Sequence, residues 1–469
     1  MKKTKIICSI GPASSSVEVM EKMVEAGMNV ARINFSHATM EERINVIETV
    51  KKVREKTGKH IGILFDTKGP EFRNQMMEND EINLVEGKTI RIVKDEVIGN
   101  ENRFSLNHPE AIDDLKVGNV ILLENGLMKI EVISIEKDGV TCKIIDGGKL
   151  GNKKSLNVPG VNLSIPFVSE ADYKDLTSDL ISEGDFIALS FVSCKDDVME
   201  ARELVKNKNK NIKLIAKIEN QEGIKNLDEI LEVADGAMVA RGDLGVEVPL
   251  EMLPIYQKEI IKKCRKYGKI AIVATEMLES MKKNIRPTRA EVSDVANAVF
   301  DGTDAVMLSG ETTTGKHPIT VVEYMAKICK MAENSQNYDE IIPITNDVDI
   351  AMTIAKSVIE CSKTLRVRAI VAATMSGNSA IKISNLKPNV PIIAACVSEE
   401  VARSLSLNYG VYSQVVKEYE STDEIVEDAK RLYKEMFNAD SDDIIIITGG
   451  FPNNTVNKTT NFMKIERLD

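Results

Sequence analysis

Residues 214–219 read Leu-Ile-Ala-Lys-Ile-Glu, and residues 237–243 read Ala-Met-Val-Ala-Arg-Gly-Asp. Each stretch begins as a short apolar run and ends in charged side chains. Nearly continuous apolar runs predict strands that are buried on both faces, as in a parallel sheet covered by helices. The two stretches therefore predict parallel strands that carry functional groups at their carboxyl ends.

The same pattern recurs along the chain, and each apolar run is followed by a helical segment. Helix starts are indicated by capping-box spacing at Ser15 with Glu18 and at Thr39 with Glu42, and helix ends by Gly27 and Gly58. The eight predicted strands are Ile6–Ile10, Val30–Phe35, Ile61–Phe65, Phe186–Phe191, Leu214–Ile218, Ala237–Ala240, Ala271–Ala274 and Ala305–Leu308. Eight βα units are typical of a closed (β/α)₈ TIM barrel, although a doubly wound open sheet has a similar pattern.

Polar residues favour the barrel, because a barrel brings the carboxyl ends of all its strands to one mouth. The polar residues at or just past predicted strand ends are Asn34, Ser36, Asp66, Thr67, Glu219, Asp243, Thr275 and Ser309.

Two further domains are indicated by changes in this pattern. Short strands and the hairpin signals Asn125-Gly126 and Asp138-Gly139 predict a small β-barrel domain inserted at residues 71–167. The barrel then comprises residues 1–70 and 168–338, and residues 339–469 predict a carboxy-terminal three-layer α/β domain. The four strands expected there are Ile370–Ala373, Pro391–Cys396, Ile444–Thr448 and Met463–Arg467.

Composition excludes several classes of protein. The 469 residues carry 61 basic and 72 acidic side chains, a net charge of -11 that opposes nonspecific binding to nucleic acid or anionic membranes. No apolar run is long enough for a membrane span or a signal peptide, so we expect a cytoplasmic protein. Its seven cysteines are dispersed and never form a CxxC motif, which indicates reduced thiols rather than disulfides or a zinc site.

The strongest chemical signal is the group Lys217, Glu219 and Asp243. Residues two apart in a strand point the same way, so Lys217 and Glu219 share one face. The two carboxylates are suited to a divalent cation with open positions for phosphate, and the ammonium to an anionic oxygen. A buried ion pair that closes the barrel interior is the alternative.

A second cluster combines residues 32–37 with residues 66–73. Asn34, Ser36, Asp66 and Thr67 offer oxygen ligands with a single formal charge, a set suited to a weakly held monovalent cation. Arg32 and Arg73 provide planar guanidinium groups for phosphate. The alternative is a solvated loop with a helix cap.

Taken together, these stretches resemble the pyruvate kinase family over nearly the whole chain and in family order. The matching segments are ARINFSH (31–37), DTKGPEFR (66–73), NVPG (157–160), IAKIENQEG (215–223), MVARGDLGVEVP (238–249), ATEMLESM (274–281), RPTRAEVSDVANAVFDGTDAVMLSGET (286–312) and TMSGNSA (374–380).

The resemblance implies a glycolytic enzyme that transfers the phosphoryl group of phosphoenolpyruvate to ADP, giving pyruvate and ATP. It implies Mg²⁺ or Mn²⁺ on Glu219 and Asp243, and K⁺ on Asn34, Ser36, Asp66 and Thr67. The implied catalytic residues are Lys217, Thr275 and Arg32. Phosphoenolpyruvate would contact Arg32, Gly242, Asp243 and Thr275, and the nucleotide would contact Asn34, His37, Arg73 and Lys154. A homotetramer is also implied.

Residues 374–379 follow a predicted strand and open a helix, which favours phosphate binding by hydroxyls and free amides, although an empty capped turn has the same pattern. The resemblance implies a sugar phosphate or nucleotide effector on Thr374, Ser376, Gly377, Asn378 and Ser379.

The sequence departs from the family at several positions. Glu124-Asn125-Gly126 replaces an Asp-Asp-Gly turn, Ser155 replaces glycine, Glu276 replaces glutamine, and Ser193 replaces arginine.

Two other functions remain open from the sequence. A barrel lyase or mutase acting on phosphoenolpyruvate would not need the nucleotide contacts, and an effector-binding paralogue without catalysis would be expected to lack Lys217, Glu219 or Asp243.

Overall fold

Alternating strands and helices begin the chain, as predicted. They are β1 (Lys5–Ser9), α1 (Val17–Ala26), β2 (Val30–Asn34), α2 (Met40–Thr57) and β3 (Gly62–Asp66). This is a computed structural model, and it describes residues 1–335, 349–451 and 460–468.

Both predicted ends of α2 and the predicted carboxyl end of α1 are confirmed, and only the amino-terminal cap of α1 differs from the prediction. Thr39 and Glu42 form a capping box, and Gly27 and Gly58 end the two helices. The cap of α1 is Ser16 rather than Ser15: its side chain accepts from the backbone N–H of Val19.

The inserted segment folds into two antiparallel-rich sheets that share one apolar core. Its strands are β4 (Glu81–Leu84), β5 (Thr89–Val93), β6 (Arg103–Ser105), β7 (Val120–Leu123), β8 (Met128–Glu136), β9 (Gly139–Asp146), β10 (Gly148–Gly151) and β11 (Leu156–Asn157). Six of them form a sheet in the order β11-β7-β8-β9-β5-β6, and β10 pairs with β4. Both predicted hairpins are present, since β7 pairs with β8 and β8 with β9.

The βα alternation then resumes. Its elements are α3 (Glu170–Leu176), β12 (Phe186–Leu189), α4 (Lys195–Val205), β13 (Lys213–Ile218), α5 (Gln221–Lys225), α6 (Leu227–Val233), β14 (Gly236–Ala240), α7 (Arg241–Glu247), α8 (Leu253–Tyr267), β15 (Ile270–Ala274), α9 (Arg289–Phe300), β16 (Ala305–Leu308), α10 (Gly310–Thr313) and α11 (Pro318–Ser335). Short 3₁₀ helices are Glu78–Asp80, Pro109–Asp114, Asp179–Glu183, Leu250–Met252 and Glu279–Lys282.

Eight parallel strands among the described residues close into a barrel in the order β1-β16-β15-β14-β13-β12-β3-β2. The closure rules out the doubly wound alternative, and it follows from the pairing of β1 with both β2 and β16. Most strand residues are buried, which explains their continuous apolar runs.

The carboxy-terminal part forms an α/β domain with three layers. Its elements are α12 (Ile350–Thr364), β17 (Ala369–Thr374), α13 (Asn378–Asn385), β18 (Ile392–Cys396), α14 (Glu399–Ser404), β19 (Val411–Val415), α15 (Thr422–Met436), β20 (Ile444–Gly449) and β21 (Phe462–Arg467). In the part of the chain that the structure describes, the strand order is β19-β18-β17-β20-β21, with separate apolar cores on the two faces. The sequence did not predict β19, whose short apolar stretch is interrupted by Ser413 and Gln414.

The amino-terminal end of the barrel is closed by the turn that follows α14. Leu407 joins the core inside the barrel, and Ser406 lies against Gly62 at the start of β3. Lys5 donates to the carbonyl of Val411, and Lys213 donates to that of Ser404 at 2.7 Å. The α/β domain therefore completes the packing of the barrel.

Across the described ranges, the helices include none with the length and apolarity of a membrane span. The predicted domain boundary between residues 338 and 339 lies outside the described residues.

Candidate active site

One large cavity, of about 1400 Å³, lies between the carboxyl ends of the barrel strands and the inserted domain. Most of the predicted site residues line it, from segments that are distant in sequence. They are Arg32, Asn34, Ser36, His37, Asp66, Thr67, Arg73, Lys154, Lys217, Glu219 and Asp243. Of the eight polar residues predicted to converge at one mouth, six line this cavity, whereas Thr275 and Ser309 are not among its described lining residues.

Lys217 lies at the centre of the charged groups. Its ammonium is 3.0 Å from Asp66 Oδ1 and from Glu219 Oε1, and it donates to Ser190 Oγ at 2.7 Å. Burial alone would lower the pKa of Lys217, but attraction to Asp66 and Glu219 outweighs burial and raises this pKa above its ordinary value. The lysine is therefore cationic and faces the cavity.

Glu219 is fully buried, and one of its two carboxylate oxygens accepts no hydrogen bond from the described residues. Its Oε2 accepts from the backbone N–H of Phe191 at 2.7 Å. Among the described residues its Oε1 has no hydrogen-bond partner, because the ion pair with Lys217 lacks hydrogen-bond geometry. Desolvation, opposed by Lys217 and reinforced by Asp243, raises the pKa of Glu219.

This carboxylate fits a divalent cation. A bound cation would relieve its desolvation and occupy the free oxygen. Asp243 is exposed to the cavity and close enough to perturb both Glu219 and Lys217. In the described ranges no group of three His, Cys, Asp or Glu side chains is placed to hold a metal ion. A hard divalent cation has about six coordination positions, so two carboxylates would leave positions for water or phosphate.

The segment Arg-Gly-Asp-Leu-Gly forms a helix, α7, although its two glycines are typical of a turn. The backbone N–H of Gly242 donates to Thr275 Oγ1 at 2.8 Å, and that hydroxyl donates to the carbonyl of Ala274 at 2.6 Å. Gly242 and Thr275 thus lie together beside Asp243.

Arg241 and Asp294, neither of which was predicted as a site residue, hold this corner in place. Arg241 donates through two nitrogens to the carbonyl of Thr275, at 2.6 and 3.2 Å, and binds both carboxylate oxygens of Asp294 at 2.7 Å. Thr275 and Glu276 have φ values of 67° and 54°. The signal available was an arginine directly after a buried strand, where a polar contact is required.

The second cluster is built on Asp66. Arg32 Nε lies 2.6 Å from Asp66 Oδ2, and its NH1 donates to Ser9 Oγ at 2.7 Å. Burial would raise the pKa of Asp66, but Arg32 and Lys217 outweigh it and lower that pKa. Asp66 therefore joins the two predicted clusters.

Asn34, Ser36 and Thr67 line the same cavity as Asp66. Asn34 pairs with Asp66 across β2 and β3, and Asn34 Oδ1 accepts from the backbone N–H of Ser36. The set contributes hydroxyl, amide and carboxylate oxygens with one formal charge, so its chemistry fits a monovalent cation.

The residues predicted on the nucleotide side lie at the junction with the inserted domain. Arg73 pairs with Glu71 at 2.8 Å and donates to the carbonyl of Lys153, whereas Lys154 pairs with Glu124 at 2.5 Å. His37 is exposed at the cavity edge.

The inserted domain contacts α7 directly. Asn157 of β11 donates to Glu247 Oε1 at 2.8 Å. A Cβ at Gly126, in the β7–β8 hairpin, would lie 3.9 Å from Val246. Both contacts join the insert to the helix that carries Asp243.

The predicted effector loop follows β17 and opens α13. Gly377 has a φ of 88°, and its N–H donates to Thr374 Oγ1 at 2.9 Å. Ser379 Oγ lies 2.5 Å from Thr460 Oγ1, whereas Ser376 and Asn378 are exposed. None of the five loop residues is among the described residues that line the barrel cavity.

Comparisons with known proteins agree with this architecture. Family models described as "Pyruvate kinase, barrel domain" and "Pyruvate kinase, alpha/beta domain" match residues 1–322 and 352–466. The chain is 47% identical to a pyruvate kinase from Bacillus licheniformis and 46% identical to one from Staphylococcus aureus strain MRSA252. Each alignment covers 99% of this chain and 80% of the relative.

A solved pyruvate kinase from Cryptosporidium parvum has the same fold. It superposes with a TM-score of 0.94 at 36% sequence identity, over 100% of this chain and 96% of that chain.

Proposed function

The chain belongs to the pyruvate kinase family, and from that premise we propose how its residues carry out the family's reaction. The reaction transfers a phosphoryl group from phosphoenolpyruvate to ADP and gives pyruvate and ATP. This membership favours the kinase over a barrel lyase or mutase. Lys217, Glu219 and Asp243 are all present, which argues against a paralogue that has lost catalysis.

The observation that carries the mechanism is the buried ammonium of Lys217 beside Asp66 and Glu219. We propose that Lys217 faces the phosphoryl group in transit and stabilises the charge on its oxygens. Phosphoryl transfer needs little covalent participation from the protein, so alignment and charge neutralisation provide most of the rate enhancement.

Glu219 and Asp243 would hold Mg²⁺ or Mn²⁺, and Asn34, Ser36, Asp66 and Thr67 would hold K⁺. When bound, these cations supply positive charge that draws phosphate and carboxylate oxygens into the mouth and polarises them. Glu219 Oε1, which accepts no hydrogen bond from the described residues, and the exposed carboxylate of Asp243 support the divalent assignment.

We assign phosphoenolpyruvate to the corner formed by Arg32, Gly242, Asp243 and Thr275. Arg32 is oriented by Asp66 and Ser9, so its remaining donors can face the phosphate. The departing enolate must be protonated at carbon. We place Thr275 in that proton path, with water delivering the proton.

Asn34, His37, Arg73 and Lys154 would contact ADP. Arg73 and Lys154 lie where the insert meets the barrel, so the nucleotide would be enclosed between the two domains. Enclosure excludes water that would otherwise accept the phosphoryl group. The pairing of Lys154 with Glu124 means that ADP must displace or share this lysine.

We further propose an allosteric, cytoplasmic homotetramer, with domain limits at residues 1–70 and 168–338, 71–167, and 339–469. The effector would be a sugar phosphate or a nucleotide bound through Thr374, Ser376, Gly377, Asn378 and Ser379. Gly377 has a left-handed backbone conformation directly before α13, where it allows the loop to turn into the helix. This conformation supports the assignment.

Omission of single components tests the proposal. Purified protein is given phosphoenolpyruvate, ADP, Mg²⁺ and K⁺, and pyruvate is measured through lactate dehydrogenase. We expect pyruvate only when all four are present. Equal pyruvate without ADP would indicate a lyase or phosphatase and would overturn the kinase mechanism.

A further inference from the structure

Ser190 is a buried serine that contacts both clusters of the site. It follows β12 and is 2% exposed. Its hydroxyl oxygen accepts from the ammonium of Lys217 at 2.7 Å and also lies 2.7 Å from the carbonyl oxygen of Thr67. One side chain thus joins the phosphoryl-facing lysine to the residues proposed for K⁺.

The direction of these bonds is fixed by the single hydroxyl hydrogen. That hydrogen points to the carbonyl of Thr67, because the other acceptor within reach, Asp66 Oδ1, is 3.4 Å away. The lone pairs of Ser190 Oγ are then directed at Lys217, which can only donate. The backbone N–H of Ser190 also donates to Thr67 Oγ1 at 3.0 Å. Both oxygens of Thr67 are therefore oriented by Ser190.

Close packing keeps Ser190 in this position. Gly69 has a φ of 74°, and a Cβ at that residue would lie 2.7 Å from Ser190 Cβ. The loop after β3 therefore needs glycine where it passes Ser190. Movement of the Thr67 backbone would carry Ser190 Oγ, and with it the acceptor of Lys217.

We propose that Ser190 is a positioning residue that couples the monovalent-cation residues to Lys217, so that occupation of the cation site aligns the ammonium with the phosphoryl group. This inference rests on the proposed function of the same site. Ser190 acts through Thr67 on one side and through Lys217 on the other.

The test compares the wild-type protein with Ser190→Ala. The variant should lower kcat about 10- to 100-fold, the loss typical of a hydrogen bond to a charged group, and raise the K⁺ concentration for half-activation at least about fivefold. The KM for phosphoenolpyruvate should stay within about threefold, because Arg32 and Thr275 are untouched. Ser362→Ala is the matched control, since Ser362 is also buried and donates to a carbonyl, that of Ile359, in the α/β domain.

A second measurement does not depend on turnover. The Tm of each protein is compared in KCl and in tetramethylammonium chloride at equal ionic strength. K⁺ should raise the Tm of wild type and of Ser362→Ala, and it should raise the Tm of Ser190→Ala much less. In the absence of K⁺, the Tm of Ser190→Ala should lie within a few degrees of the wild-type Tm. If Ser190→Ala does not fold, Ser190→Cys, with its weaker thiol donor, should change both quantities in the same direction.

The outcomes separate this inference from the proposed function. The role of Ser190 would be overturned if Ser190→Ala had the same K⁺ concentration for half-activation and the same K⁺-induced Tm shift as wild type. The kinase mechanism would be unaffected by that result. A wild-type protein that makes no pyruvate, or makes it without ADP, would instead overturn the proposed function.

Discussion

At the scale of single residues, the site depends on how a buried ammonium is balanced. Lys217 has carboxylates at 3.0 Å on two sides, from Asp66 and Glu219, and Asp243 is nearby. Asp66 is shared with Arg32, so the local charge is nearly balanced before any substrate or cation enters. An incoming phosphate and a divalent cation would preserve that balance.

Replacement of Lys217 by Met tests its role in the transition state. We expect kcat to fall about 100- to 1000-fold, the loss typical of one electrostatic group, with KM for phosphoenolpyruvate changed little. Steady-state kinetics at saturating ADP, Mg²⁺ and K⁺ measure both. Lys206→Met, at an exposed lysine that pairs with Glu203, is the control. An unchanged kcat would remove Lys217 from the mechanism.

Arg241→Lys tests the support of Thr275. Lysine cannot bind Asp294 and the carbonyl of Thr275 with one planar fork, so the threonine should shift. We expect kcat/KM for phosphoenolpyruvate to fall about 10- to 100-fold, because small misplacements at a reacting centre are costly. Arg289→Lys, at an exposed arginine of α9, should behave as wild type. Equal kinetics in both variants would show that Thr275 is held by other contacts.

At the scale of elements, the barrel strands were predicted closely and α7 was not. Apolar runs on both faces mark β13 and β16 without ambiguity, whereas the two glycines in residues 241–245 indicate a turn by local propensity alone. Packing overrides that propensity: Leu244 is buried, and Arg241 pairs with Asp294 on α9. The short strand β11 was missed because its two residues carry no periodic signal.

The bond between β11 and α7 predicts how the insert protects the reaction from water. Asn157→Ala removes the donor to Glu247, and a lost bond to a charged group should lower kcat/KM for phosphoenolpyruvate about tenfold. Because closure should be less complete, we also expect more pyruvate than ATP to be formed. Both products are quantified in the same reaction.

Asn102→Ala provides the control for this prediction, since Asn102 is exposed elsewhere in the insert. It should keep the product ratio at one. A ratio of one in Asn157→Ala as well would separate this contact from the exclusion of water.

At the scale of the whole molecule, the barrel and the α/β domain form a shared structure. Lys5 and Lys213, at the starts of their strands, donate to carbonyls at the start of β19 and at the end of α14, and Leu407 enters the barrel core. The sequence could not reveal this closure, because a Leu in a turn between α14 and β19 carries no mark of its distant partner. The domain limits predicted from pattern changes stay a prediction.

Leu407→Ala tests how far the stability of the barrel depends on the α/β domain. The substitution should destabilise the protein by about 2–5 kcal/mol, the cost of a core cavity, and should lower the unfolding midpoint of the barrel. Calorimetry measures the unfolding midpoint, and limited proteolysis of the whole protein shows whether the barrel or the α/β domain is cleaved more readily. Leu432→Ala, on α15 in the core of the α/β domain, is the comparison. Barrel stability unaffected by Leu407→Ala would show that the barrel closes without the turn.

The placement of most candidate residues in one cavity was predictable, because they lie at strand ends, which a barrel brings together whatever the connecting sequence. The contacts of Arg241 and Ser190 were not, since each depends on a neighbour that only the folded chain provides.

The most direct test of the account is a crystal structure with phosphoenolpyruvate, Mn²⁺ and Tl⁺, in which anomalous scattering identifies each ion. We expect Mn²⁺ between Glu219 and Asp243, Tl⁺ among Asn34, Ser36, Asp66 and Thr67, and the Lys217 ammonium against the phosphoryl group. Ions bound elsewhere, or a phosphoryl group beyond the reach of Lys217, would contradict the proposed centre.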